Sequence, residues 1–131
     1  MPSAPAAEHL EALRDVAAET AGVELLLLFG SRATGKAHAR SDWDVGYLGD
    51  DVDPGALHSA LTAALGTDDV DVVDLARAGA LLRFNAADTG VVVFEDRPGR
   101  HERFWLEAVH FWCDAGPIIR AAYDDVLAGL G

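Results

Sequence analysis

The longest apolar run of the chain, Val23 to Phe29, is seven residues long and is broken once, by Glu24. A bilayer needs about 20 apolar residues of helix, so this run cannot span one. It reads instead as a strand buried in a water-soluble core. Upstream, Met1 to Ala7 is small and Pro-containing, and reads as a loose end. From Glu8, the positions Leu10, Leu13, Ala17 and Ala21 keep helical spacing, and Gly22 supplies the stop. The N-terminus lacks the basic, apolar and small-residue order of a signal peptide, which predicts a cytoplasmic protein.

The rest of the chain alternates strands and helices. Gly30, Gly35 and the polar stretch to Ser41 form a turn-rich segment, and Trp43 to Leu48 reads as a second strand closed by Gly49. Asp53-Pro54 predicts a helix start, with Asp as cap and Pro at the first helical position. Leu57, Leu61 and Leu65 share a face of that helix, and Gly66 ends it. Val70 to Leu75 reads as a third strand, about Ala78 to Ala87 as a helix, and Val91 to Glu95 as a fourth strand. After the Pro98-Gly99 turn the chain reads as helical, bent near Gly116-Pro117. With 131 residues, half of them apolar, the prediction is one α+β domain over 1–131 with a C-terminal helical segment from about 99 to 131.

Charge and cysteine content narrow the function. A formal net charge of −12 repels a phosphate backbone, which disfavours a DNA- or RNA-polymerising role and direct nucleic-acid binding. The same field suits a divalent cation or a basic protein partner, and it also serves solubility. Cys113 is the single cysteine, so an internal disulfide and a cysteine zinc cluster are excluded, and it reads as a buried thiol. His9, His38, His58, His101 and His110 lack metal-ligand spacing, and each reads as a surface or hydrogen-bonded histidine.

The chemistry concentrates after the first strand. Gly30-Ser31 follows it directly, ten residues then separate Ser31 from Asp42, and Asp42-Trp43-Asp44 opens the second strand. A period of two puts Asp42 and Asp44 on one strand face with Trp43 on the other. Two carboxylates held together repel, and a hard cation such as Mg²⁺ relieves the repulsion through oxygen ligands. A third carboxylate on a neighbouring strand would let two ions be clamped about 4 Å apart, as in-line phosphoryl chemistry needs. The third strand offers Asp69, Asp71 and Asp74. Asp71 projects from between Val70 and Val72, a costly placement unless a metal or hydrogen bonds satisfy it. Asp71 is therefore chosen, with Asp74 as runner-up; the acidic stretch from Asp68 to Asp74 is compatible with a solvated edge strand, but its valines argue for burial. Gly30 permits close backbone approach, and Ser31 begins a short turn whose free N–H groups favour phosphate.

The run LFGSRATGKAHARSDWDVGYL resembles the signature of the DNA polymerase β-like nucleotidyltransferases in their small form, the minimal nucleotidyltransferase (MNT) domains. VDVVDLARAGALLRFNAADTGVVVFED is similar to the second half of such domains, so the resemblance covers roughly Leu25 to Asp96. It implies a mixed β-sheet flanked by helices, ATP as substrate, two Mg²⁺ ions and release of pyrophosphate. Asp42, Asp44 and Asp71 would be the catalytic metal ligands, and Gly30, Ser31 and Arg32 would hold the triphosphate, with Lys36 a further phosphate candidate. The resemblance also implies a role as antitoxin, silencing a HEPN-domain ribonuclease toxin by adenylylating one of its tyrosines (AMPylation). Phe104, Trp105, Ala108, Val109, Phe111 and Trp112 recur at helical spacing, which suits a docking surface, a cover for the sheet, or both. A homo-oligomer is compatible with the sequence. Two other readings stand beside this one: an antitoxin acting by contact alone, and a small-molecule nucleotidyltransferase of the aminoglycoside-modifying kind, which usually needs extra chain for its acceptor pocket.

Overall fold

The computed structural model describes residues 7–30 and 42–114. Within them run α1 (Ala7–Glu19), β1 (Val23–Phe29), β2 (Trp43–Gly49), α2 (Pro54–Leu65), β3 (Val70–Asp74), α3 (Ala80–Thr89), β4 (Val91–Glu95) and α4, described over 100–114. The strands form one sheet in the order β3-β2-β1-β4. β1 pairs antiparallel with β2 and with β4, whereas β2 and β3 are parallel, so the sheet is mixed. A parallel pair needs a crossover, and α2 provides it. This is the fold class that the sequence implied.

β1 lies inside the sheet, and both of its faces are covered. Leu26 and Leu28 share one face with Trp43, Val45 and Tyr47 of β2, against Leu13 and Ala17 of α1 and Leu57 and Leu61 of α2. Leu25, Leu27 and Phe29 share the other, with Ala86 and Ala87 of α3 and Phe104 and Ala108 of α4. Leu25 to Leu28 are wholly buried, each contributing roughly 1.5–3 kcal/mol of transfer free energy. Two-sided cover explains why β1 reads as a continuous apolar run and not an alternation.

The helix-end signals hold for α2. The Asp53 carboxylate accepts from the Gly55 and Ala56 N–H groups at 3.0 and 3.2 Å, Pro54 stands at the first helical position, and Gly66 takes a left-handed φ of 68°. The α3 bounds differ from the sequence expectation by two residues at each end, and β3 stops one residue early, at Asp74. One expectation is corrected in part. β3 is the outer strand of the sheet and Asp71 is exposed, so no burial cost attaches to it, whereas Val70 is buried and Val72 and Val73 pack against the core clusters as expected. Cys113 is also exposed, not buried. α4 meets the sheet through Phe104 and Ala108, and five residues further on the helix has turned about 140° away from that line. Among the described residues, no helix is long and apolar enough to cross a membrane.

Candidate functional site

Strand register gathers the acidic residues. Asp44 is the Cα partner of Asp71 across the parallel β2–β3 pair and of Phe29 across the antiparallel β1–β2 pair. Directly opposed residues project to the same face, so the Asp44 and Asp71 side chains share the face covered by α3 and α4. Asp42 immediately precedes β2 and is exposed. Asp74, the alternative third carboxylate, is registered with Tyr47 and so projects to the opposite face. There it accepts from the Ala76 N–H at 3.0 Å and faces Arg77 at 3.7 Å. Asp69 lies before β3, and its carbonyl accepts from the Trp43 N–H at 2.8 Å, which locks the start of β2 to the start of β3.

The electrostatics of Asp44 reflect the proximity of three of these groups. The Asp44 carboxyl is held above its ordinary value of 3.8, first by burial, then by the negative charge of Asp71, then by that of Asp42. Asp44 is therefore the node of the group, with a like charge along its own strand and another across the ladder. Gly30 follows β1 with φ 74°, a left-handed conformation that glycine adopts without strain. A Cβ placed there would run into the Asp44 carboxylate. The absence of a side chain at Gly30 is what gives that carboxylate its room.

The donor set suits a hard cation, because repelling carboxylate oxygens beside a glycine cradle are stabilised by positive charge. As placed, no three His, Cys, Asp or Glu side chains among the described residues form a group able to hold a metal ion by themselves. Ser31, Arg32, Lys36 and His38 lie outside the described residues. Of the predicted site residues, the structure thus brings Gly30, Asp42, Asp44 and Asp71 to one end of the sheet.

Two contributors carried little signal in sequence. Gly46, registered opposite Leu27 and Val73, lets Leu75 lie over β2; an added Cβ would meet the Leu75 methyls at 2.8 and 2.9 Å. A glycine inside a strand does hint at such close approach. His58 of α2 bonds the Val70 carbonyl, next to Asp71, at 3.1 Å. No spacing announces a contact across twelve residues. The aromatic stripe of α4 is partly buried and partly exposed. Phe104 and Ala108 cover the sheet, whereas Trp105, Leu106 and Phe111 are 40%, 54% and 38% exposed. Trp112 stacks on Phe84 with ring centroids 5.5 Å apart, and the Arg83 guanidinium lies 4.7 Å over the Phe111 ring.

Comparison with known proteins fits this geometry. Residues 11–98 match the family described as polymerase beta, nucleotidyltransferase. The chain is similar to the protein adenylyltransferase MntA of Aphanizomenon flos-aquae (strain 2012/KM1/D3), 31% identical over 97 residues. That alignment spans 63% of this chain and 63% of the relative, under two thirds of its length. Among solved structures, a chain of the crystal structure of a toxin–antitoxin with AMP-PNP superposes with a TM-score of 0.76 and 26% identity, covering 90% of this chain and 98% of that one. The fold also recurs in the structure of tri-AMPylated Shewanella oneidensis HEPN toxin in complex with MNT antitoxin, with a TM-score of 0.68 and 24% identity over 91% of this chain and 96% of that one.

Proposed function

This chain belongs to the polymerase beta nucleotidyltransferase family, and we propose that it is a Mg²⁺-dependent protein adenylyltransferase, the antitoxin that transfers AMP from ATP to a tyrosine of a HEPN-domain ribonuclease. The observation that carries this reading is the register of Asp44 with Asp71, with Asp42 beside them and Gly30 opening room for the Asp44 carboxylate. The adenylyltransferase relative and the toxin–antitoxin neighbour with AMP-PNP support an adenine nucleotide as donor and a protein as acceptor. A reaction on ATP is compatible with a cytoplasmic protein.

Asp42 and Asp44 would hold the cation, and Asp71 would complete the acidic set. Magnesium is typically held by one or two carboxylates together with substrate phosphates, which is the donor set offered here. Bound there, it supplies positive charge to the oxygens of the transferring phosphoryl group. The backbone at Gly30, with Ser31 and Arg32 from the motif, holds the triphosphate tail. The acceptor oxygen bonds the α-phosphorus as the bond to the β-phosphate's bridging oxygen breaks. Pyrophosphate leaves with that electron pair, and the tyrosine proton passes to the Asp71 carboxylate. The exposed Trp105, Leu106 and Phe111 of α4 offer the surface on which the toxin docks.

The test is incubation of the protein with its HEPN partner, labelled ATP and Mg²⁺. AMP should appear on a tyrosine of the partner by mass spectrometry, and Asp42→Asn should bind the partner without transferring. Those exposed apolar residues also favour a second reading, neutralisation by contact alone. Full neutralisation by a folded, transfer-dead Asp42→Asn protein at equal stoichiometry would establish that reading and refute the catalytic one.

A further inference from the structure

Asp71 stands on an outer strand, where half of the backbone groups have no strand beside them. The Trp43 N–H donates to the Asp69 carbonyl at 2.8 Å, so residues 69 and 71 turn their backbone groups toward β2 and the Val70 carbonyl turns away from it. That outward carbonyl is met by His58 of α2, with Nε2 at 3.1 Å. A carbonyl only accepts, so Nε2 carries the proton and donates. The Val70–Asp71 peptide is thereby held from both sides: its oxygen by His58, and its N–H, on Asp71, facing the β2 ladder. The donor is firmly mounted, because α2 is capped by Asp53 and anchored by the wholly buried Leu57 and Leu61.

We propose that His58 is a positioning residue for the transfer reaction: its bond to the Val70 carbonyl holds the start of β3 so that Asp71 stays in register with Asp44. The inference rests on the reading of Asp71 as a member of the site. Two substitutions separate the bond from the ring. His58→Phe keeps the bulk and removes the donor, whereas His58→Gln restores an N–H at nearly the same reach.

One neutral hydrogen bond accounts for a roughly 3- to 10-fold change in an equilibrium or rate. In His58→Phe, amide exchange at Asp71 should accelerate by about that factor, while exchange at Leu27 in β1 stays as in the unaltered protein. The kcat for AMP transfer should fall by a similar factor with KM for the acceptor unchanged, and His58→Gln should recover both. Normal exchange at Asp71, a normal kcat, equal acceleration at Leu27, or failure of His58→Gln to rescue would each overturn the proposal. Asp71→Asn serves as the control on the underlying reading. If it transfers normally, Asp71 is not in the site and both fall; if it is dead while His58→Phe is normal, only the role of His58 falls.

Discussion

Replacing Gly30 with alanine isolates the most specific geometric feature of the site. Two penalties arise. The first is conformational: at φ 74° a residue with a Cβ loses roughly 1–2 kcal/mol. The second is steric, because the new Cβ would collide with the Asp44 carboxylate oxygen and lie 3.1 Å from its carboxyl carbon. Overpacking of that kind costs typically about 1–3 kcal/mol. Gly66 supplies the control, since it has nearly the same φ, 68°, and nothing within 4 Å of an added Cβ. Gly66→Ala should thus cost only the conformational share, a Tm loss of about 3–8 °C for a chain of this size, and leave transfer unchanged. Gly30→Ala should lose about twice as much Tm or more. It should also slow transfer roughly 100-fold, since a displacement of about 1 Å in a reacting group has that effect.

A double-mutant cycle closes the argument. In an Asp44→Ala background there is no carboxylate to strike, so adding Gly30→Ala should cost no more than Gly66→Ala does. The coupling, measured by thermal or urea unfolding followed by circular dichroism, should be about 1–3 kcal/mol. Equal losses for Gly30→Ala and Gly66→Ala, or a coupling below about 0.3 kcal/mol, would refute the idea that Gly30 makes room for the Asp44 carboxylate.

Four further outcomes follow from the same structure. Because the Asp44 carboxyl is raised above 3.8 in the folded protein, the native state holds that proton more tightly than the unfolded chain, and stability falls as pH rises from 3.8 through the folded value. Asp44→Asn should therefore raise Tm in chelator at neutral pH, and the gain should vanish as pH drops toward 3.8; a lower Tm at neutral pH would contradict the burial penalty and repulsion that raise the Asp44 pKa. Mg²⁺ at about 100 times its Kd should stabilise the protein by roughly 2.7 kcal/mol, and Asp42→Asn with Asp44→Asn should abolish that gain; an unchanged response would move the cation elsewhere. Phe104→Ala empties a wholly buried position and should cost about 3–5 kcal/mol. Trp105→Ala should leave stability nearly intact but weaken partner binding by more than about 1 kcal/mol in calorimetry, and unimpaired binding would exclude α4's exposed face as the docking surface.

Local signals fixed the elements, and pairing decided their chemistry. The β4 bounds, the Asp53 cap and the Gly66 terminator were legible because each depends on residues a few positions apart. The choice between Asp71 and Asp74 was not settled by alternation alone. A period of two says that these residues face opposite sides; only the register of β3 with β2 says which side Asp44 shares. That register is carried by the α2 crossover and by the Trp43 to Asp69 bond, neither of which leaves a mark on β3's own sequence. The burial expected of Asp71 failed for the same reason. Valines on both sides of it describe a strand with apolar neighbours, not whether another strand lies beyond it.

The misfit at Asp44 has a physical meaning that stability alone does not supply. An amide of the same shape would occupy the same room beside Gly30 without the repulsion from Asp71 and Asp42, so the fold itself gains nothing from the charge. A sequence otherwise consistent across levels tolerates such a conflict where another ligand resolves it. Under the proposed function Asp42, Asp44 and Asp71 would share a magnesium ion with the nucleotide's phosphates, and its charge would relieve their mutual repulsion. A cation there would offset the burial penalty that chiefly raises the Asp44 pKa, together with the repulsion from Asp71 and Asp42, so cation and nucleotide should each tighten the other's hold on the protein. By linkage the two enhancements must be equal. Titrating Mg²⁺ with and without a non-hydrolysable ATP analogue, and the analogue with and without Mg²⁺, measures both sides of that equality. Independent binding of the two would sever the carboxylate cluster from the triphosphate and, with it, the site as drawn.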